Sequence, residues 1–189
     1  MSAAQEPHAP TATAPAFSLP GRPCSAAAAL HVVGEKWALL AVREIFFGNH
    51  RFEAIARNTG APRDRLAARL RSLEQAGVVE RRPYNERPPR YEYHLTESGR
   101  DLAPVIRALL DWGDRWVLED KPVVMIHEPA ASAGGKDAHA HSHAHSHDLD
   151  AAWICRTCSE EVVMNTLTVD VRAPGWDRAG PKESSPSGS

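Results

Sequence analysis

The chain has only three cysteines in 189 residues, too few for a disulfide framework. Its thiols are expected to be free, metal-bound or redox-active, and the cytoplasm is the expected compartment. No run of apolar residues approaches the roughly 18 that a membrane span needs. The stretch after Met1 lacks the basic and then apolar regions of a secretory leader. No membrane partner is therefore expected. There is no Gly-rich phosphate loop, no Gly-x-Ser-x-Gly and no His-Glu-x-x-His, so an enzyme is not expected. A formal net charge of −2 excludes a uniformly basic nucleic-acid binder. What is present is a hydrophobic content of 42% and a charged content of 24%, ordinary values for a chain that buries a core. The length fits about one domain with appendages.

The overall charge hides a local imbalance. Residues 57–90 hold nine arginines, at 57, 63, 65, 69, 71, 81, 82, 87 and 90, against the four acids Asp64, Glu74, Glu80 and Glu86. That is a local excess of five positive charges, all of it arginine. Taken alone, such a run is a solvated helix face. Its setting decides otherwise.

Composition divides the chain. Residues 1–23 carry five prolines and six alanines without periodicity and read as a disordered tail. Residues 24–120 are dense in periodic apolar signal and form the domain. Residues 121–150 read as a linker containing a His-rich tract, 151–172 as a small element around a Cys-x-x-Cys, and 173–189 as a disordered Pro/Ser/Gly tail.

Within the domain the spacing predicts helices at 35–47, 52–58 and 62–76. The last carries Leu66, Leu70 and Leu73 on one face, with Pro62 in its first turn and Gly77 past its end. Strands are predicted at 78–84 and 90–95. The second alternates Tyr91, Tyr93 and Leu95 against Glu92 and His94. The intervening Asn-Glu-Arg-Pro-Pro is expected to exclude a tight two-residue turn and to protrude as an extended loop. Thr96-Glu97-Ser98 is expected to cap one long helix reaching residue 119. The fold class is therefore mainly α with a small β-hairpin, an α+β winged helix-turn-helix with a long C-terminal helix and a flexible His-rich extension.

Two short helices joined around a glycine and followed by a basic hairpin suit double-stranded DNA. A helix in the major groove reaches base edges from its N-terminal residues. Here these are Arg63, Asp64 and Arg65, with Arg69 one turn on. Arginine suits bidentate contact with guanine or phosphate, and Ala67 and Ala68 let the helix approach closely. Arg87 and Arg90 lie on the hairpin loop, and Arg81 and Arg82 on its leading strand. Arg51 and Arg57 flank the helix that crosses the backbone.

An ordered set of residues carries a family resemblance. It comprises Cys24, Gly34-Glu35-Lys36-Trp37, Leu39-Leu40, Arg43-Glu44, Gly48, Arg51-Phe52, Leu66, Arg69-Leu70, Leu73-Glu74, Gly77-Val78-Val79, Arg82, Pro88-Pro89-Arg90, Tyr93, Leu95-Thr96 and Gly99-Arg100. Its most specific parts are Gly-x-Lys-Trp, the Arg-Phe pair, and Pro-Pro-Arg-x-x-Tyr-x-Leu-Thr followed by Gly-Arg. Over residues 24–116 the chain resembles the HxlR-type winged helix-turn-helix transcriptional regulators of bacteria. The resemblance implies a homodimer on an inverted repeat, with terminal helices as the interface. Leu102, Val105, Ile106, Leu109, Trp112 and Trp116 are the expected interface residues. The family's usual Ser-type cap on the recognition helix is replaced by Pro62 after Ala61. The resemblance also implies a redox-sensing role for Cys24, just before the first helix; the plain alternative is a structural thiol.

Cys155-Arg156-Thr157-Cys158 supplies half of a tetrahedral zinc site, with His127 or an inserted histidine as candidates for the rest; a redox pair or uncommitted thiols are the alternatives. His139, His141, His143, His145 and His147 alternate with small residues, a pattern suited to loose metal binding. No cofactor is required, and zinc, structural or regulatory, is the ion the pattern would take. The competing functions are metal handling through the His tract with Cys155 and Cys158, and thiol oxidoreduction at that cysteine pair.

Overall fold

The computed structural model describes residues 21–128 and 146–182. These divide into two compact units, one running up to Ala103 and resuming at Asp170, the other Pro104–Val169. His139, His141, His143 and His145 lie outside the described residues, as does most of each expected terminal tail.

The first unit is built from α1 (Ser25–Val33), α2 (Lys36–Phe46), α3 (Phe52–Thr59), α4 (Arg63–Gln75), β1 (Val79–Glu86), β2 (Pro89–Leu95) and the single turn α5 (Glu97–Arg100). α2 packs on both α3 and α4. Its small residues Ala38 and Ala41 are buried with Val42 and Ile45, allowing close approach. Leu66, Leu70 and Leu73 of α4 are fully buried, as is Ile55 of α3. The leucine spacing thus turns one face of α4 into the core and leaves the opposite face outward.

α4 stops through a Schellman closure. The Val78 amide donates to the Leu73 carbonyl at 2.9 Å and the Gly77 amide to Glu74 at 3.0 Å. Gly77 has φ +70°, a conformation glycine adopts without steric penalty. The chain then enters β1, which pairs antiparallel with β2 from Val79↔Leu95 to Glu86↔Pro89. Thr96 and Ser98 donate hydroxyl hydrogen bonds to the Gly77 carbonyl at 2.6 and 2.8 Å. These bonds tie the base of the hairpin to the end of α4. Gly99 completes the joint, because a Cβ there would lie 2.2 Å from the Val78 carbonyl oxygen.

Four local expectations need correction. The hairpin closes through the two residues Arg87-Pro88, whose peptide bond is cis. Pro88 sits in the turn and Pro89 at the first strand position, where a missing N–H breaks no interior ladder bond. Pro62 flanks α4 as its N-cap, with extended ψ of 136°, rather than standing inside the first turn. The long helix is two pieces: α5 ends at Arg100 and a separate helix, α6 (Ala103–Trp116), follows. Pro104 explains the break, since proline fits a helix's first turn and interrupts an interior. Finally, residues 173–182 form a tight turn instead of loose tail. The Asp177 carboxylate accepts the amides of Ala179 and Gly180 at 2.8 and 3.0 Å, which hold it below the usual carboxylate range.

The second unit contains α6, a two-residue antiparallel ladder of β3 (Ile126–His127) with β4 (His147–Asp148), and a 3-10 turn at Met164–Thr166. The ladder lies in the stretch expected to be linker. Among the described residues no single helix is long and apolar enough to cross a membrane.

Candidate nucleic-acid interface

The first helix of the motif, α3, is tied to α2 by a buried carboxylate. Glu44, near the end of α2, is 4% exposed. It accepts from Asn49 Nδ2 at 2.8 Å, Asn58 Nδ2 at 2.9 Å and Arg43 Nη2 at 2.6 Å. One side chain therefore joins α2, the following loop and α3. In the sequence Glu44 belongs only to the Arg43-Glu44 pair of the family pattern. Its signal was an acid on an otherwise apolar helix face, with Asn49 before α3 and Asn58 within it.

The hairpin is anchored to the same loop. The Tyr93 amide donates to the His50 carbonyl at 2.8 Å, and the His50 ring, through Nδ1, bonds the Tyr93 carbonyl at 2.9 Å. The rings of His50 and His94 stack with centroids 4.3 Å apart. Arg51 bridges to Glu92 of β2 at 3.1 Å and lies over the Tyr84 ring. Arg51 thus stands where the loop, β1 and β2 meet.

All the arginines assigned to DNA contact belong to the first unit, and most are exposed. They differ in what already holds them. Arg63 makes a bidentate pair with Glu53 of α3, at 2.6 and 2.5 Å, and lies over the Phe52 ring. The guanidinium holds Glu53 below the usual carboxylate range. This ties the tip of α4 to α3. Arg69 is half-buried with Nη1 3.7 Å from Glu35. Arg81 pairs with Glu74 at 3.6 Å and covers the Tyr91 ring, and Arg82 pairs with Glu80. Arg57, Arg65, Arg71, Arg87 and Arg90 form no ion pair among the described residues. Asp64 is exposed in the first turn of α4, where its charge complements the helix dipole.

Geometrically, the N-terminal end of α4 presents Arg63, Asp64 and Arg65 outward while its leucines are locked inside. The two-residue hairpin tip carries Arg87, with Arg90 two residues beyond it in β2. A rigid, arginine-bearing helix beside a basic hairpin can contact a nucleic-acid groove and the phosphates alongside it.

A family model for the HxlR-like helix-turn-helix matches residues 32–121. The uncharacterized HTH-type transcriptional regulator Rv3095 of Mycobacterium tuberculosis is 40% identical over 150 residues, spanning 78% of this chain and 85% of the relative. The chain belongs to the HxlR-like helix-turn-helix family. An HTH-type transcriptional regulator of Methanothermobacter thermautotrophicus is also 40% identical to this HxlR-like chain, over 91 residues, 48% of this chain and 70% of that one. Among solved structures, PA1607, described as a candidate transcription factor, is similar with a TM-score of 0.62 and 25% identity. That match covers 78% of this chain and 94% of the other. This HxlR-like protein is a DNA-binding transcriptional regulator.

The mycobacterial alignment covers 78% of 189 residues, more than the 121 residues that end with the family match. It therefore includes part of the segment beyond residue 121. The HxlR-like chain shares more with that relative than the DNA-binding domain.

The other assigned residues fall as follows. Cys24 is exposed at the start of α1, and the backbone amides of Ala27 and Ala26 hold its thiol below the ordinary range. Val105, Leu109, Trp112 and Trp116 of α6 are 44%, 51%, 60% and 69% exposed, whereas Ile106 is 3% exposed. Ile106 is buried within its own chain and is removed from the expected interface. Leu102 is half-buried. His127, His147, Cys155 and Cys158 all lie in the second unit.

Proposed function

We propose that the protein is a homodimer that reads an inverted-repeat operator. α4 enters the major groove, and the β1–β2 hairpin grips the flanking backbone. The observation that carries this reading is the division of α4 into a fully buried leucine face and an exposed arginine end. Arg65, free of any carboxylate, is the principal base reader. Arg63 positions the tip of α4 through Glu53 and exchanges that partner only on contact with DNA. Arg57, Arg71, Arg87 and Arg90 bind phosphates.

The exposed stripe on α6 supports the dimer. Val105, Leu109, Trp112 and Trp116 recur at i, i+4, i+7 and i+11, so they share one helix face. Large side chains repeated on one exposed face mark a contact surface. Trp112 and Trp116 also border a cleft of about 870 Å³ with Trp153 and Met164 of the same unit. A second copy docked along the stripe supplies the second α4 that an inverted repeat requires. Cys24, with its lowered thiol, is the position at which oxidants or electrophiles would act on the DNA-binding unit.

Footprinting on the duplex upstream of the protein's own coding region tests the reading. The expected result is two protected half-sites related by a dyad. A single protected half-site, or protection that ignores sequence, would exclude the dimeric operator.

A further inference from the structure

Residues 146–169 reverse direction repeatedly yet bury almost nothing. Trp153, Ile154, Val163, Met164, Leu167 and Val169 are between 49% and 75% exposed. Segments this short that lack an apolar core need a disulfide, a metal or a partner to hold them. The ordered bonds in this region surround potential metal ligands instead. Cys155 and Cys158 sit on a narrow hairpin. The Val162 amide bonds the Trp153 carbonyl at 2.7 Å, the Cys155 amide bonds Glu160 at 2.9 Å, and the Ser159 amide bonds Cys155 at 2.7 Å. Ser159 takes φ +60° to close the turn.

The second feature is the β3–β4 ladder, where His127 pairs directly with His147. Directly opposed residues share one face of a ladder, and the two rings lie 5.1 Å apart, edge to face. Two imidazoles bound to one zinc at about 2.0–2.1 Å across a tetrahedral angle have ring centres roughly 5 Å apart, close to the separation here. Among the described residues no three His, Cys, Asp or Glu side chains converge on one point. The ligands are therefore arranged as two pairs, thiols on one hairpin and imidazoles on another, within one unit.

We propose that Cys155, Cys158, His127 and His147 bind one divalent ion of the zinc class, which draws the two hairpins together. Two thiolates and two neutral imidazoles form a closed tetrahedral set, the donor chemistry of structural zinc. The ion takes the place of a hydrophobic core, and its binding free energy folds the extension. The site lies outside the DNA-binding unit and is independent of the operator reading. The proposed set draws no ligand from residues 139–145.

Cobalt(II) titration of the chelator-stripped, reduced full-length protein tests this. A thiolate-to-cobalt band should saturate at one ion per chain with tetrahedral visible absorption, and zinc should bleach it. Cys155→Ser and Cys158→Ser should each abolish tight binding. His127→Ala and His147→Ala should weaken it by at least the roughly 10–100-fold that an outer-shell partner contributes. His147→Cys should restore affinity with a stronger sulfur band, a gain that a misfolded variant cannot show. Replacing His139, His141, His143 and His145 with alanine should leave the band unchanged. The proposal is overturned if no sulfur band forms, or if the band ignores His127 and His147 and follows the 139–145 tract. It is also overturned if the protein isolated from cells carries a Cys155–Cys158 disulfide instead. Trypsin cleavage after Arg156 exposes that bond as a cross-link between two peptides.

Discussion

Glu44→Ala is expected to be among the most damaging single substitutions in the DNA-binding unit. The carboxylate is 4% exposed and accepts from Arg43, Asn49 and Asn58. Hydrogen bonds to charged groups contribute about 1.5–3 kcal/mol each. Three partners set an upper limit that relaxation lowers, because Arg43 keeps 26% side-chain exposure and regains water. Removing one member of a buried ion pair costs about 3–5 kcal/mol, and that range is the expected loss. For a unit near 100 residues, 3 kcal/mol corresponds to a fall of at least about 12 °C in Tm. Glu44→Gln keeps the shape and one accepting oxygen but turns an amide toward donors, so it should lose less, about 1–3 kcal/mol. Urea unfolding followed by circular dichroism measures both. A Glu44→Ala unfolding free energy within 1 kcal/mol of wild type would refute the idea that this carboxylate ties α2 to α3.

Three further outcomes follow from the same structure. Trp112→Ala should weaken self-association in sedimentation equilibrium. A buried aromatic contributes about 1.5–3 kcal/mol, and a twofold interface counts it twice, giving roughly 10²–10⁴-fold in the dimer Kd; an unchanged constant would place the interface elsewhere. Gly99→Ala should destabilise by about 1–3 kcal/mol, because its Cβ would meet the Val78 carbonyl oxygen at 2.2 Å and the Leu95 side chain at 3.2 Å; wild-type stability in urea would show that the joint yields. Cys24 alkylation by iodoacetamide should follow a pH profile with its midpoint below that of an ordinary thiol, since the Ala27 and Ala26 amides favour the thiolate. A profile that matches free cysteine would remove that stabilisation.

The parts of the fold that depend on local periodicity were legible in the sequence. Leu66, Leu70 and Leu73 announced both α4 and its buried face, and Gly77 marked its end. Thr96 signalled a helix start, and its side chain does accept the Gly99 amide. What escaped depends on geometry between elements. Nothing in the spacing pairs Glu53 with Arg63, ten residues away on the next helix, so Arg63 read as unencumbered. The same holds for Glu44 and Asn58. The hairpin tip was misjudged because prolines were taken to forbid a tight turn, although both occupy positions that need no donor. Pro104 was readable as a helix start and would have divided the long helix correctly. Ile106 differs from Val105 only by its place around α6, and burial alone separates core from exposed stripe.

The role of Arg65 gives the most direct test of the account. Affinities of wild type, Arg65→Ala and Arg87→Ala should be measured on the footprinted operator and on a random duplex across a salt series. Arg65→Ala should lose about 1–3 kcal/mol on the operator and little on random DNA. Arg87→Ala should weaken both alike and reduce the salt slope by about one. Wild-type operator affinity in Arg65→Ala would contradict the placement of α4 in the groove.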